Sequence, residues 1–149
     1  MTGAPVRTVL HVEDNPANLE LVEQLLARRT DLRLMNVANA NIGIEFARAY
    51  QPAVILMDIN LVGISGIAAL KILRADSSTA HIPIISVSAN AMPGDIVQGL
   101  KAGFFNYLTK PIKLDTFLAA LDEALAFSLT VATAANQAGV DINLKDLGP

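Results

Sequence analysis

The chain has 149 residues, of which 52% are hydrophobic and 17% charged, and it carries a formal net charge of -3 with a pI near 5.2. That is enough apolar material for the core of one compact soluble domain, and it leaves no basic field for gripping nucleic acid. There is no cysteine, hence no disulfide framework and no thiolate metal site, and no apolar stretch reaches the roughly 20 residues of a membrane span. A cytoplasmic protein without a signal peptide, touching neither membrane nor nucleic acid directly, is the expectation. His11 and His81 stand far apart and read as a sheet-edge residue and a loop residue rather than a metal pair.

Short β-rich runs alternate with longer helical patterns along the chain, which predicts βα units feeding a parallel sheet. The first strand is expected over Val6 to Val12. Asn15 can then cap a helix whose first position is Pro16, with Leu19, Leu21, Val22, Leu25 and Leu26 as its stripe. Leu32 to Val37 reads as an edge strand and Ala40 to Tyr50 as a helix with Ile44 and Ala47 inward. Ala53 to Met57 is the most apolar strand and belongs at the centre. A loop through Gly63 and Gly66 leads to a helix carrying Ile67, Leu70, Ile72 and Leu73. Pro83 to Val87 is the fourth strand, and Ala91 to Ala102 a helix weakened by Gly94 and Gly99. Phe104 to Leu108 is the fifth strand, and Leu114, Phe117, Leu118, Leu121 and Leu125 mark a last amphipathic helix. The domain, residues 1–127, should end near Phe127. Residues 128–149 read as a tail or linker in which Val140 to Leu144 alternates as a short strand would.

Polar groups recur where the apolar runs leave the core. Glu13 and Asp14 follow the first strand, Asp58 the third, Ser88 the fourth and Lys110 the fifth. The carboxyl edge of a parallel sheet is where such folds do their chemistry. Carboxylates, a hydroxyl and an ammonium gathered there suit metal-assisted phosphoryl chemistry. Glu13-Asp14 alone fits a solvated helix entrance equally well, and Asp58 alone a cap before its glycine-containing loop, but neither reading explains the gathering.

Glu13-Asp14, Asp58, Ser88 and Lys110-Pro111, in this order and on these strand ends, resemble the receiver domain of two-component response regulators, over about residues 6–127. The resemblance implies an α/β, doubly wound, flavodoxin-like fold with five parallel strands in the order 2-1-3-4-5. It implies that Asp58 accepts a phosphoryl group from a histidine kinase or a histidine phosphotransfer protein and thereby switches binding to an output protein. The chain would then be a signalling domain rather than an enzyme, assisting only its own phosphorylation and dephosphorylation, as a monomer or weak dimer. Three carboxylates make a hard oxygen pocket that suits Mg²⁺. Asp14 and Asp58 are the expected direct ligands, with Glu13 acting through water and the backbone carbonyl of Asn60 added by the resemblance. The resemblance also implies a cis Lys110-Pro111 bond that aims the ammonium at the phosphate, a Ser88 hydroxyl that binds a phosphoryl oxygen, and a Tyr107 that swings inward when Ser88 moves. Lys110-Pro111 read alone is a turn, Ser88 a local hydrogen-bonding hydroxyl and Tyr107 a packing residue.

The chain departs from the usual pattern at Val62, where proline is common, at Phe104-Phe105-Asn106, and in its tail. One of the two phenylalanines must leave the sheet core; packing under the last helix is preferred to a solvent-facing docking anchor. Two other functions fit less well. A metal-dependent aspartyl phosphatase resembling the haloacid-dehalogenase family wants an acid at the position of Asn60, and a constitutive scaffold with a vestigial site leaves the intact acidic cluster and Lys110 unexplained.

Overall fold

The computed structural model describes residues 6–142 apart from Val62. Five parallel strands, β1 (Arg7–Val12), β2 (Leu32–Val37), β3 (Val54–Met57), β4 (Ile84–Ser88) and β5 (Asn106–Thr109), form one sheet in the order β2-β1-β3-β4-β5. They alternate with α1 (Pro16–Leu26), α2 (Ala40–Tyr50), α3 (Gly66–Ala75), α4 (Pro93–Ala102) and α5 (Leu114–Ile142). The expected α/β architecture and strand order are both found. The most apolar run, β3, is the central strand with every residue buried, because a parallel sheet covered on both faces has no solvated side to pattern.

Alternation along each strand divides the core in two. Leu10, Val12, Ile55, Met57 and Ile84 meet α2 and α3 on one face. Val9, Val54, Leu56, Ile85 and Val87 meet Val22 and Leu26 of α1 and Phe117, Leu121 and Leu125 of α5 on the other. The caps follow the sequence. Asn15 accepts from the N–H groups of Ala17 and Asn18, with Pro16 opening α1, and Asn39 and Ser65 cap α2 and α3 in the same way. α4 begins after Met92 with no side-chain cap, consistent with the weak helix expected there.

Two expectations change. α5 does not stop near Phe127 but continues to Ile142, so Val140 to Ile142 are helical rather than strand; Asn143 and Leu144 lie outside the described residues. The helix runs on from its amphipathic first half into a stretch that lacks the apolar stripe that periodicity detects. His11 is not at a sheet edge: it lies on β1 between Asn36 of β2 and Leu56 of β3 and is fully buried. The phenylalanines part as alternation requires, with Phe104 in the core edge-on to Tyr107 and Phe105 packed on Phe127 of α5 at 5.3 Å between centroids. The preferred packing under the last helix is therefore the one found. Val62 lies outside the described residues.

Two features of the fold have measurable consequences. Gly66 opens α3 directly against the backbone of Asp58 and Ile59, where a Cβ would collide with the Asp58 carbonyl oxygen and stand 2.8 Å from the Ile59 Cα. Backbone cannot rotate away as a side chain can, so Gly66→Ala should lower stability by about 1–3 kcal/mol in denaturant titration and displace the loop carrying Asp58. Burial, with Lys110 nearby, lowers the His11 pKa to about 4, so the folded state keeps the imidazole neutral where the unfolded chain protonates it. The unfolded state then binds more protons between pH 6.5 and 4, and stability falls as pH falls through that window, by up to about 3 kcal/mol. His11→Leu should flatten that part of the stability profile.

Candidate functional site

The carboxyl edge of the sheet gathers side chains from four strand ends. Asp58 follows β3, and its N–H donates to the Val12 carbonyl at 3.2 Å, so the loop that carries it stays paired with β1 one residue past the strand. Glu13 is likewise held, its N–H on the Val37 carbonyl of β2 at 3.0 Å. Lys110 follows β5 with its N–H on the Ser88 carbonyl at 2.8 Å, and its bond to Pro111 is cis, as expected. The topology alone therefore brings to one point residues as far as 97 positions apart in sequence.

The ammonium of Lys110 is divided between two carboxylates, 3.1 Å from Asp58 Oδ2 and 3.2 Å from Glu13 Oε1. Both acids are buried and the lysine nearly so, so this is not the exposed kind of pair that contributes little. The free oxygens are used locally: Asp58 Oδ1 accepts the Asn60 N–H at 3.0 Å and Glu13 Oε2 the Asn15 N–H at 3.2 Å. Burial, and then the neighbouring charge of Asp58, push the Glu13 carboxyl above its usual range against the pull of Asn15 and Lys110. Burial pulls the Lys110 ammonium down, but Asp58 and Glu13 more than offset it and the net shift is upward. Lys110 is firmly cationic.

Glu13, Asp14 and Asp58 each place a carboxylate oxygen within 4.8 Å of the other two. Asp14 is the exposed member and Glu13 and Asp58 the buried ones. Three carboxylates with one lysine leave an anionic cluster, and an all-oxygen donor set is what a hard divalent cation takes. The residues present therefore fit such an ion.

Ser88 lies beside this cluster, fully buried, with its hydroxyl accepting the Asn90 N–H at 3.0 Å. Asn60 closes the mouth by a 3.3 Å hydrogen bond from its amide to that of Asn90. The Tyr107 ring lies inside, 7% exposed, with its hydroxyl donating to the Asn90 carbonyl at 2.8 Å. Of the residues expected at the site, Glu13, Asp14, Asp58 and Lys110 form one cluster, with Ser88 and Asn60 at its margin and Tyr107 reaching it through Asn90. Gly66 behind Asp58 and Gly99 against Tyr107 were not foreseen. Their signal in the sequence is glycine within or at the start of a helical window, where it is costly unless something approaches closely.

Comparison with known proteins agrees with this geometry. The family described as the response regulator receiver domain matches residues 9–122. The polar-differentiation response regulator DivK of Brucella anthropi is 35% identical over 112 residues, covering 75% of this chain and 90% of that protein. The receiver domain of a sensor histidine kinase from Pseudomonas aeruginosa, solved with a magnesium ion coordinated in its active-site cleft, superposes with a TM-score of 0.73 at 33% identity, covering 81% of this chain and 98% of that one. The signal receiver domain of a LuxO repressor protein from Vibrio parahaemolyticus shares the fold, with a TM-score of 0.80 at 21% identity, covering 87% of this chain and 97% of that one. Strand order, acidic cluster and sequence likeness agree, and the chain belongs to the response regulator receiver domain family.

Proposed function

We propose that Asp58 is the residue that takes the phosphoryl group, supplied by a phosphohistidine on a kinase or phosphotransfer protein, and that the modified domain binds a different partner from the unmodified one. The observation that carries this reading is the Lys110 ammonium 3.1 Å from Asp58 Oδ2. It is a fixed positive charge beside the carboxylate that would become the acyl phosphate.

In the reaction an Asp58 carboxylate oxygen attacks phosphorus, an O–P bond forms, the N–P bond breaks, and the donor imidazole leaves with that electron pair. Charge spreads over the equatorial phosphoryl oxygens in a loose transition state, so the protein's task is positioning and electrostatic stabilisation. Asn60 N–H holds Oδ1 and Lys110 holds Oδ2, which fixes the plane of the attacking carboxylate. Ser88, whose oxygen accepts the Asn90 N–H, keeps its O–H to donate to a second phosphoryl oxygen. Mg²⁺, held by Asp14, Asp58 and the Asn60 carbonyl with Glu13 acting through water, would neutralise the charge brought by the phosphoryl group. The same groups would assist attack of water on phosphorus, returning Asp58 and free phosphate. The receiver unit proposed here runs to about Phe127, and α5 continues past that point to Ile142.

Among the described residues no helix is long and apolar enough to cross a membrane. Incubation with Mg²⁺ and a small-molecule phosphodonor, read by intact mass, should add one phosphoryl group to the wild type and none to Asp58→Ala. Modification that persists in Asp58→Ala, or that never appears with either a small donor or a phosphohistidine donor, would overturn the assignment. Lys110→Ala should slow the modification by at least about 10-fold, the scale of one lost charge-assisted contact in the transition state. Asp14→Asn should weaken Mg²⁺ binding in calorimetric titration, since it removes one carboxylate from the donor set.

A further inference from the structure

We infer that the cleft beneath the amino ends of the strands is a second binding site, for a small organic anion that joins an oxyanion to an apolar or aromatic body. The cleft measures about 650 Å³, within the size range of small-molecule pockets. It lies at the far end of the sheet from Asp58. Arg7, which lines it, opens β1, and Glu13 follows the other end of that strand, a separation of about 20 Å by strand rise. The phosphoryl chemistry makes no use of it.

Arg7 and Arg33 supply its charge. Each guanidinium has five N–H donors and spends one of them on a contact within the protein, Arg7 on the Leu125 carbonyl at 3.1 Å and Arg33 on Thr8 Oγ1 at 3.1 Å. These contacts hold both groups in place and leave most of each donor fork open. Neither arginine forms an ion pair among the described residues. Asp31, whose backbone carbonyl receives the Arg7 N–H, gives its carboxylate to Arg29 at 2.9 and 3.0 Å. Among the described residues no aspartate or glutamate lines the cleft, whereas His81, from the connection before β4, does. On a chain with a net charge of -3 this is a local positive field with no acid of its own to balance it.

Much of the remaining lining is apolar. Tyr50 at the end of α2 and Leu129 on α5 are 55% and 59% exposed, two large side chains left against water in one cleft. Leu129 and Val131 lie past Phe127, so this wall exists only because α5 continues beyond that point. A guanidinium fork matches the paired oxygens of a carboxylate, phosphate or sulfonate, and Tyr50 with Leu129 offers cover to a ring or alkyl body. A bare inorganic anion would leave those side chains in water. A neutral apolar molecule would leave the guanidiniums unmatched.

The probe is anilinonaphthalene sulfonate, an aromatic body with one sulfonate, titrated by fluorescence into the full chain without phosphodonor. Phenylnaphthylamine, the same body without the charge, is titrated beside it. The wild type should bind the sulfonate at one site, at least about 10-fold more tightly than the neutral compound, the scale of one charge-assisted hydrogen bond. Arg33→Gln should remove most of that preference. Leu129→Glu, which sets a carboxylate in the cleft from α5, should weaken the sulfonate at least as much. Both positions are exposed, so these variants keep the fold that the titration needs. Lys71→Gln, which removes the same charge from an exposed position on α3, should leave both affinities unchanged. Equal affinity for the two compounds would overturn the inference, as would sulfonate binding that Arg33→Gln and Leu129→Glu leave intact, or an equal loss in Lys71→Gln and Arg33→Gln. No phosphate is involved, so the outcome is separate from the intact-mass result on Asp58.

Discussion

The Lys110 ammonium between Glu13 and Asp58 is the contact around which this edge of the sheet is arranged. Two buried carboxylates at that spacing repel, and removing them from water without a partner would be costly. The cation that resolves this comes from β5, whereas the acids follow β1 and β3, so β4 lies between donor and acceptors. Neighbouring strands are about 4.8 Å apart, and the lysine must therefore cross the end of β4. The crossing starts from the Lys110 N–H on the Ser88 carbonyl, which sets where the side chain leaves the backbone. The strand order and the site are thus one constraint expressed twice.

Close packing behind the site is the second condition, and it uses glycine at two places for two purposes. Gly66 lets the first turn of α3 rest against the Asp58 carbonyl, so the acceptor loop is backed by a helix rather than by solvent. Gly99 lets α4 rest on an aromatic ring. The first contact is backbone on backbone and has no way to give. The second is backbone on a rotatable side chain, which can give in one direction.

Much of this was legible in the sequence because a parallel sheet buried on both faces writes its strands as unbroken apolar runs. The polar residue that ends each run is then conspicuous: Asp58 after Val54–Met57, Glu13 after Val9–Val12, Lys110 after the fifth strand. Asn15-Pro16 and Asn39 marked helix starts for equally local reasons. What the sequence did not disclose depends on which of several available partners a group chooses. Ser88 has a hydroxyl that can both accept and donate, and that it accepts the Asn90 N–H is a choice of partner no strand pattern dictates. Tyr107 could have stood outside, yet a glycine eight residues earlier gives it space. Phe105 found cover only because α5 brings Phe127 over it, and α5 itself runs on past the point where its apolar stripe ends.

The raised Glu13 pKa and the firmly charged Lys110 have one origin, an excess of negative charge in a buried place. At rest the lysine is committed to both acids and cannot approach an incoming group without releasing one of them. A phosphoryl group arriving on Asp58 would bring more negative charge, so holding it requires a further cation or the surrender of the Glu13 contact. The exposed Asp14, together with the two buried acids, supplies the oxygen donors for the first course. The single ammonium, restrained by acids on two strands, supplies the second. Either way the charge balance of the cluster changes on modification. Its nearest mechanical outlet is the Asn60–Asn90 hydrogen bond, which ties the loop beside Asp58 to the turn that also holds Ser88 and Tyr107.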